Sequence, residues 1–289
     1  LIPSTMVGRV VFITGATSGM GLATARALAT YGATIVIHGR ETDKAKQTVE
    51  EIREETKNPA IYYLIADFEK MDEVRSLASE FRRQFHRLDV LINNAGAVFG
   101  KRQESAEEIE LSLQVNYLAH FLLTNLLLDM LKASAPSRVV NVTSGHHERG
   151  RIDFEDLQMT RKYSGQKAYA SSKLAQVLFT YELAKRLEGS GVTCNASNPG
   201  LAKTHLGYDA GLLTSLSKRF VDLFGKSAEK AAENTIFLAT APELEKISGK
   251  YYEEKQEAES SEMSYNTSAA QRLWEVSMKL TKLTDDPEV

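Results

Sequence analysis

Arg9-Val-Val-Phe-Ile13, running straight into Thr14-Gly15-Ala16-Thr17-Ser18-Gly19-Met20-Gly21, is the stretch of this chain that decides its fold. The first part is short, apolar and rich in branched side chains, the mark of a buried strand. The second is a glycine turn, and residues 22–31 after it are dense in alanine and leucine, as a helix would be. Strand, glycine turn and helix in that order give the glycine spacing a physical meaning. Glycine lets the backbone turn tightly and come close to a pyrophosphate. The helix start that follows offers free N–H groups and a partial positive charge. The spacing is Gly-x-x-x-Gly-x-Gly rather than Gly-x-Gly-x-x-Gly, and a tight turn with no ligand is the plainer alternative.

The same alternation continues outward. Strands are expected at 34–38, 61–66, 90–93, 138–142, 192–197 and 249–252, and helices at 42–56, 71–85, 169–187, 227–239 and 269–283. Ser105-Ala-Glu-Glu108 has the form of a capping box that would open a long helix running to residue 131. Repeated strand–helix units with apolar strands imply a single α/β domain over residues 1–289. It would be a Rossmann-type doubly wound parallel sheet of about seven strands, with helices on both faces. Residues 1–6 read as an N-terminal extension or tag, with Met6 as an alternative natural start. Residues 253–264, polar and acidic, read as an exposed connection.

Ligands of such sheets bind at the carboxyl ends of the strands. Asp67, Asn93-Asn94-Ala95-Gly96, Thr143-Ser144 and Asn198-Pro199-Gly200 all fall at those ends. Each is also ordinary turn chemistry, and it is their common edge that argues for a site.

Composition narrows the class. With 35 basic and 38 acidic residues, formal net charge −3, there is no basic excess to hold nucleic acid. The one cysteine, Cys194, excludes an internal disulfide and fits a reducing, cytoplasmic compartment. No His/Cys cluster has metal-ligand spacing, so no metal is expected, and the adjacent His146-His147 reads as surface. The most apolar segment, 111–131, contains Gln114, Asn116, His120, Asn125 and Asp129, which marks a buried helix rather than a membrane span.

Tyr169-Ala-Ser-Ser-Lys173 carries the chemistry. On a helix, residues four apart share a face. A phenol titrates near ~10, and an adjacent ammonium favours its phenolate, so the pair can serve as an acid/base group near neutral pH.

Together these motifs resemble the short-chain dehydrogenase/reductase family over nearly the whole chain. The resemblance rests on Thr14-Gly-x-x-x-Gly-x-Gly21, Asn93-Asn-Ala-Gly96, Asn116, Ser144, Tyr169-x-x-x-Lys173, and Pro199-Gly200 with Thr204. It extends to the retinol dehydrogenase branch through Val140-Asn-Val-Thr-Ser-Gly-His-His147, Gly150-Arg-Ile-Asp-Phe154, Ser172-Lys-Leu-Ala175 with Leu178-Phe-Thr180, and Arg272-Leu-Trp-Glu-Val-Ser277.

The resemblance implies roles. Tyr169 would be the general acid or base, Ser144 would hold the substrate oxygen, and Lys173 would lower the Tyr169 pKa and hold the nicotinamide ribose. Asn116 would anchor a water linking Lys173 to solvent. Gly15, Thr17, Ser18, Gly19, Met20 and Gly21 would surround the pyrophosphate and adenosine ribose. Asp67 would face the adenine with Phe68 beside it, Asn94, Ala95 and Gly96 would line the adenosine side, and Pro199, Gly200, Leu201 and Thr204 would hold the nicotinamide end. Residues 207–224 would form a substrate lid, its apolar positions Leu212, Leu213, Leu216, Phe220 and Phe224 at helical spacing. An amphipathic helix on the core reads the same spacing equally well, and a peripheral membrane contact is a further use of such a face.

Cofactor choice is read at the end of the second strand. Ile37-His38-Gly39-Arg40 lacks the carboxylate that usually accepts from a ribose 2′-hydroxyl, and Arg40 suits a 2′-phosphate. The expectation is an NADP(H)-dependent oxidoreductase acting on an apolar aldehyde, ketone or alcohol, with a homodimer or homotetramer using the apolar face of helix 169–187. The alternatives are a protochlorophyllide-reductase-like enzyme, disfavoured because Cys194 lies within a strand, and a cofactor-binding interaction protein without turnover.

Overall fold

Branched and aromatic side chains at alternating positions build the sheet. In β1 (Val10–Ile13) all four residues are buried. Val11 and Ile13 join the core on one side of the sheet, and Val10 and Phe12 the core on the other, as the two-residue period of a strand requires. The computed structural model describes residues 5–200 and 227–284.

The order is β1, α1 (Gly19–Thr30), β2 (Thr34–Gly39), α2 (Thr42–Thr56), β3 (Ile61–Ile65), α3 (Met71–Gln84) and β4 (Val90–Asn93). A broken helix follows: α4 (Leu111–Leu113), a π-helical turn at Gln114–Leu118, α5 (Ala119–Leu126) and α6 (Leu128–Ala133). Then come β5 (Ser137–Val142), a 3-10 turn at Gly145–Arg149, α7 (Gly165–Arg186) and β6 (Val192–Asn198). The chain closes with α8 (Ala228–Thr240), β7 (Tyr251–Glu253), β8 (Gln256–Glu257) and α9 (Thr267–Leu280). The strands lie in the order β3-β2-β1-β4-β5-β6-β7-β8, parallel as far as β7, with β8 antiparallel to it. The order reverses between β1 and β4, which places a crevice at their carboxyl ends.

Four expectations change. The helix after β4 does not start at Ser105. Ser105 Oγ accepts from Glu107 and Ile109 N–H and closes a local turn, and Glu108 takes φ +60. Glu110 is the N-cap instead: its buried carboxylate accepts from Ser112 N–H at 2.9 Å and Leu113 N–H at 2.8 Å. Met6 is not part of an extension. It is 6% exposed within the core, and its N–H donates to Tyr31 C=O at 2.8 Å.

Residues 253–264 are more than an exposed connection. They form β8, Ser260 Oγ bonds Tyr181 Oη at 2.6 Å, and Ser261 N–H donates to His147 Nε2 at 2.9 Å. The outward face of α7 is taken by α9. Trp274 packs edge-on to Phe121 at 4.9 Å and beside Phe179 at 5.9 Å, and Ser277 Oγ bonds Tyr117 Oη at 2.7 Å. The surface expected to serve self-association is therefore covered by the chain itself. Among the described residues, no helix is long and apolar enough to cross a membrane.

Candidate active site

The glycine turn is held by side chains from three strands and a helix. Thr14 Oγ1 accepts from Asn94 N–H at 2.9 Å and Ala95 N–H at 3.0 Å. Its own hydrogen is then free for His120 Nε2 at 2.9 Å, while His120 Nδ1 donates to Asn116 C=O at 3.1 Å. Gly15 N–H donates to His38 Nδ1 at 3.2 Å, and His38 Nε2 donates to Ala66 C=O at 2.9 Å. Both imidazoles are thereby fixed as neutral tautomers, and burial pushes His38 down to about 4 and His120 to about 3.

Close approach dictates the glycines. Gly15 has φ +64, and a Cβ there would lie 2.8 Å from Ala95 Cα. A Cβ on Gly21 would lie 2.4 Å from Gly15 O. At Gly19, φ +55, the same position meets open space. Ser18 precedes α1 in extended backbone without a side-chain cap, and no acid occupies the first turn. The helix start thus presents N–H groups and positive potential to an open concavity, which fits a dinucleotide pyrophosphate.

The adenosine side is more crowded than the sequence suggests. Asn94 Nδ2 donates to Thr14 C=O at 2.8 Å and Gly15 C=O at 3.1 Å, so its side chain ties β4 to the turn. Thr17 sits against Gly39, where a Cβ would lie 2.6 Å from its Cγ2. Met20 is buried in the core behind the turn. Asp67 Oδ1 accepts from Glu69 N–H at 3.1 Å. The Phe68 ring is 3% exposed, stacked on His38 at 4.3 Å and edge-on to His120. It packs in the core and does not stand in the site. Arg40 is exposed, and its Nη1 lies 3.8 Å from Glu69 Oε1. Glu69 is thus an acid near Arg40 that reading along the strand does not reveal.

On the other side of the crevice stand Ser144, Tyr169 and Lys173. Lys173 Nζ lies 5.7 Å from the Tyr169 ring centroid and donates to Val142 C=O at 3.0 Å and Gln176 Oε1 at 2.8 Å. Burial lowers it to about 7, so it titrates near neutral pH. Asn116 lies in the π-helical turn. Its Oδ1 accepts from Ala97 N–H at 2.8 Å, and its Nδ2 donates to Ala97 C=O at 2.9 Å and Ser172 Oγ at 3.0 Å. A Cβ on Gly96 would come within 3.4 Å of Asn116 Oδ1 and 3.5 Å of Lys173 Nζ, so these groups converge on the β4 turn.

Gly150 lets the loop after β5 lie on α7, since a Cβ there would lie 2.5 Å from Ala170 O. Ser144 Oγ is 3.2 Å from His146 Nδ1, and the His146 ring meets the Tyr169 ring edge-on at 5.9 Å. His147 is buried; its Nδ1 donates to Ser144 C=O at 2.8 Å. His146 is exposed, as adjacent loop histidines are expected to be, but His147 is buried, and both bond Ser144. The only sequence signal was their place two and three residues past Ser144.

Asn198 Oδ1 accepts from Gly200 N–H at 3.0 Å and shapes the turn through Pro199. Leu201, Thr204 and the expected lid at 207–224 lie outside the described residues. Cys194 is fully buried in β6, where desolvation pushes its thiol up, so it takes no part at the crevice. Among the described residues, no His/Cys/Asp/Glu cluster could hold a metal ion.

Residues 9–211 match the model of the short chain dehydrogenase family. Retinol dehydrogenase 13 of Mus musculus is 42% identical over 97% of this chain and 86% of that protein. Retinol dehydrogenase 12 of Homo sapiens is 44% identical over 94% of this chain and 86% of its own length. Among solved structures, an uncharacterised protein from Mycobacterium paratuberculosis superposes with TM-score 0.80 at 32% identity, covering 97% of this chain and 96% of that one. A 3-ketoacyl-(acyl-carrier-protein) reductase from Brucella melitensis, solved with NADH, superposes with TM-score 0.66 at 27% identity, covering 85% and 96%.

Proposed function

Since the chain belongs to the short-chain dehydrogenase family, on its retinol dehydrogenase branch, we propose that it is an NADP(H)-dependent oxidoreductase interconverting an apolar alcohol with its aldehyde or ketone. The observation that carries this reading is the convergence of Ser144, Tyr169 and Lys173 on the same strand-end crevice as the glycine turn, with Lys173 Nζ 5.7 Å from the Tyr169 ring.

The division of labour follows from the residues. Tyr169 gives its proton to the carbonyl oxygen in reduction and takes it back in oxidation. Ser144 holds that oxygen by a hydrogen bond. Lys173, held by Val142 and Gln176, favours the phenolate whenever it is charged. Its lowered pKa leaves it close to its titration point near neutral pH, where proton release is easiest. Asn116 keeps the turn at Ala97 in place beside Lys173. The glycine turn and α1 hold the pyrophosphate, and Arg40 faces the 2′-phosphate. When bound, the nicotinamide supplies or accepts the hydride. Any homo-oligomer forms through a face other than the one α9 covers.

The test is NADPH oxidation across aldehydes and ketones of increasing apolar size, retinal included, for the unmodified protein and Tyr169→Phe. Efficiency is expected to rise with apolar length, by at most ~0.8 kcal/mol per buried methylene. Tyr169→Phe should lower turnover by ~10²-fold or more with NADPH affinity little changed. Near-normal turnover in that variant would sink the mechanism, and NADPH binding without turnover on any carbonyl would favour an interaction protein.

A further inference from the structure

His146 is exposed, as an adjacent loop histidine is expected to be, yet its Nδ1 lies 3.2 Å from Ser144 Oγ and its ring stands edge-on to Tyr169. We propose that His146 sets which way the Ser144 hydroxyl points, and so decides whether Ser144 can donate to a carbonyl oxygen or only accept from an alcohol. The inference rests on the reading of Ser144 and Tyr169 as the groups that meet the substrate oxygen.

A serine hydroxyl has one hydrogen and two lone pairs. Ser144 Oγ already accepts from His146 N–H at 3.3 Å, which uses one lone pair. When Nδ1 is bare, the Ser144 hydrogen points to it, and the hydroxyl turns only a lone pair toward the crevice. An alcohol can donate to that lone pair, but a carbonyl oxygen meets no donor. When Nδ1 carries a proton, it donates to Oγ and occupies the second lone pair. The Ser144 hydrogen is then free to point outward to a carbonyl oxygen. Protonated His146 suits reduction, and neutral His146 suits oxidation.

The surroundings set the pH at which this happens. On its own turn His146 neighbours Glu148, Arg149 and the buried His147, whose Nδ1 donates to Ser144 C=O and whose Nε2 accepts from Ser261 N–H. From α7 it faces Tyr169, with Lys173 behind that ring. The end of β6 brings Asn198, a neutral amide, within reach of Gly145. Desolvation by burial, and then the Arg149 charge, lower His146 below its ordinary imidazole value. The neutral, accepting state therefore prevails at pH 7, and the donating state appears only as the pH falls below the ordinary imidazole range.

His146 acts through Ser144, so it is a positioning residue, and its test needs readouts that packing alone would not move. The first is the pH profile of kcat/KM for carbonyl reduction from pH 5 to 8. The unmodified protein should lose about tenfold in efficiency as pH rises through the His146 titration. His146→Phe keeps a ring beside Tyr169 but has no nitrogen to take the Ser144 hydrogen, and should hold efficiency near the high plateau at every pH with NADPH affinity unchanged. In a Ser144→Ala background the His146→Phe change should have no further effect.

The second readout is the ¹⁵N NMR titration of the six histidines. Neutral His146 should be the Nε2–H tautomer, and Ser144→Ala should shift both that tautomer balance and its pKa. A limb that persists in His146→Phe, or a His146 titration blind to Ser144→Ala, overturns the proposal. If no carbonyl is reduced at any pH, the functional reading fails, and the NMR titration alone decides whether the two side chains are coupled.

Discussion

At the scale of single residues, the proposed NADP(H) preference rests on Arg40 and the acid facing it. In the proposed reading Arg40 would meet the 2′-phosphate, and Glu69 Oε1 lies 3.8 Å from its guanidinium. Glu69 is pushed above its ordinary carboxylate value by desolvation and then by Asp67. A charge-assisted contact contributes about 1.5–3 kcal/mol, so NADPH should bind roughly ten- to a hundredfold tighter than NADH. Arg40→Ala should abolish that preference and leave NADH nearly untouched. Glu69→Gln removes the competitor from an exposed pair and should tighten NADPH by a few-fold at most. Titration of intrinsic fluorescence with each nucleotide checks both, and equal affinities in the unmodified protein would remove the assignment.

At the scale of elements, the start of α4 and the seat of α9 both depend on tertiary contacts. Glu110 caps α4 through two backbone N–H groups and accepts from Tyr163 Oη at 3.2 Å, whereas Ser105 closes only a local turn. Glu110→Ala should therefore cost about 1–2 kcal/mol in urea denaturation, and Ser105→Ala well under ~1. The reverse order would restore the capping box. α9 matters for a different reason. Trp274 is 8% exposed, packs on Phe121 and Phe179, and carries the Arg186 guanidinium 4.2 Å from its ring. Trp274→Ala should destabilise the fold by about 3–5 kcal/mol and uncover the apolar faces of α5 and α7. Sedimentation velocity should then show self-association beyond that of the unmodified protein; an unchanged sedimentation profile would mean that α9 stays seated without its tryptophan.

At the scale of the whole molecule, the sheet leaves neutral histidines buried beneath its ligand edge. His38 and His120 are each lowered far below 6.5 by burial and hold the glycine turn only as neutral rings. Above the unfolded-state value of ~6.5 they are neutral in both states and stability does not depend on them. As pH falls below that, the unfolded chain takes up protons that the folded one refuses. Stability then declines by about 1.4 kcal/mol per pH unit for each histidine, until the folded-state values near 4 and 3 are passed. Urea midpoints measured from pH 7 down to 4.5 should show this slope, and His120→Gln should reduce it. A flat profile would mean that the rings titrate in place.

Local sequence determined the alternation of strands and helices, the glycine turn and the Tyr169–Lys173 spacing, because each depends on residues within a few positions of one another. A two-residue or 3.6-residue period is legible without knowing what lies opposite. The same holds for Val90–Asn93 and Thr42–Thr56, whose observed bounds match the periodicity. Tertiary structure alone decided which groups meet. Nothing local distinguishes His146, which reaches Ser144 Oγ, from His147, which is locked to Ser261 across 114 residues. Nor does periodicity reveal that Glu69 faces Arg40, that the Phe68 ring stacks on His38, or that Ser277 returns across 160 residues to cover Tyr117. Strand order sets those pairings, since it brings distant loops to one edge, and the burial of each side chain follows from the neighbour that arrives.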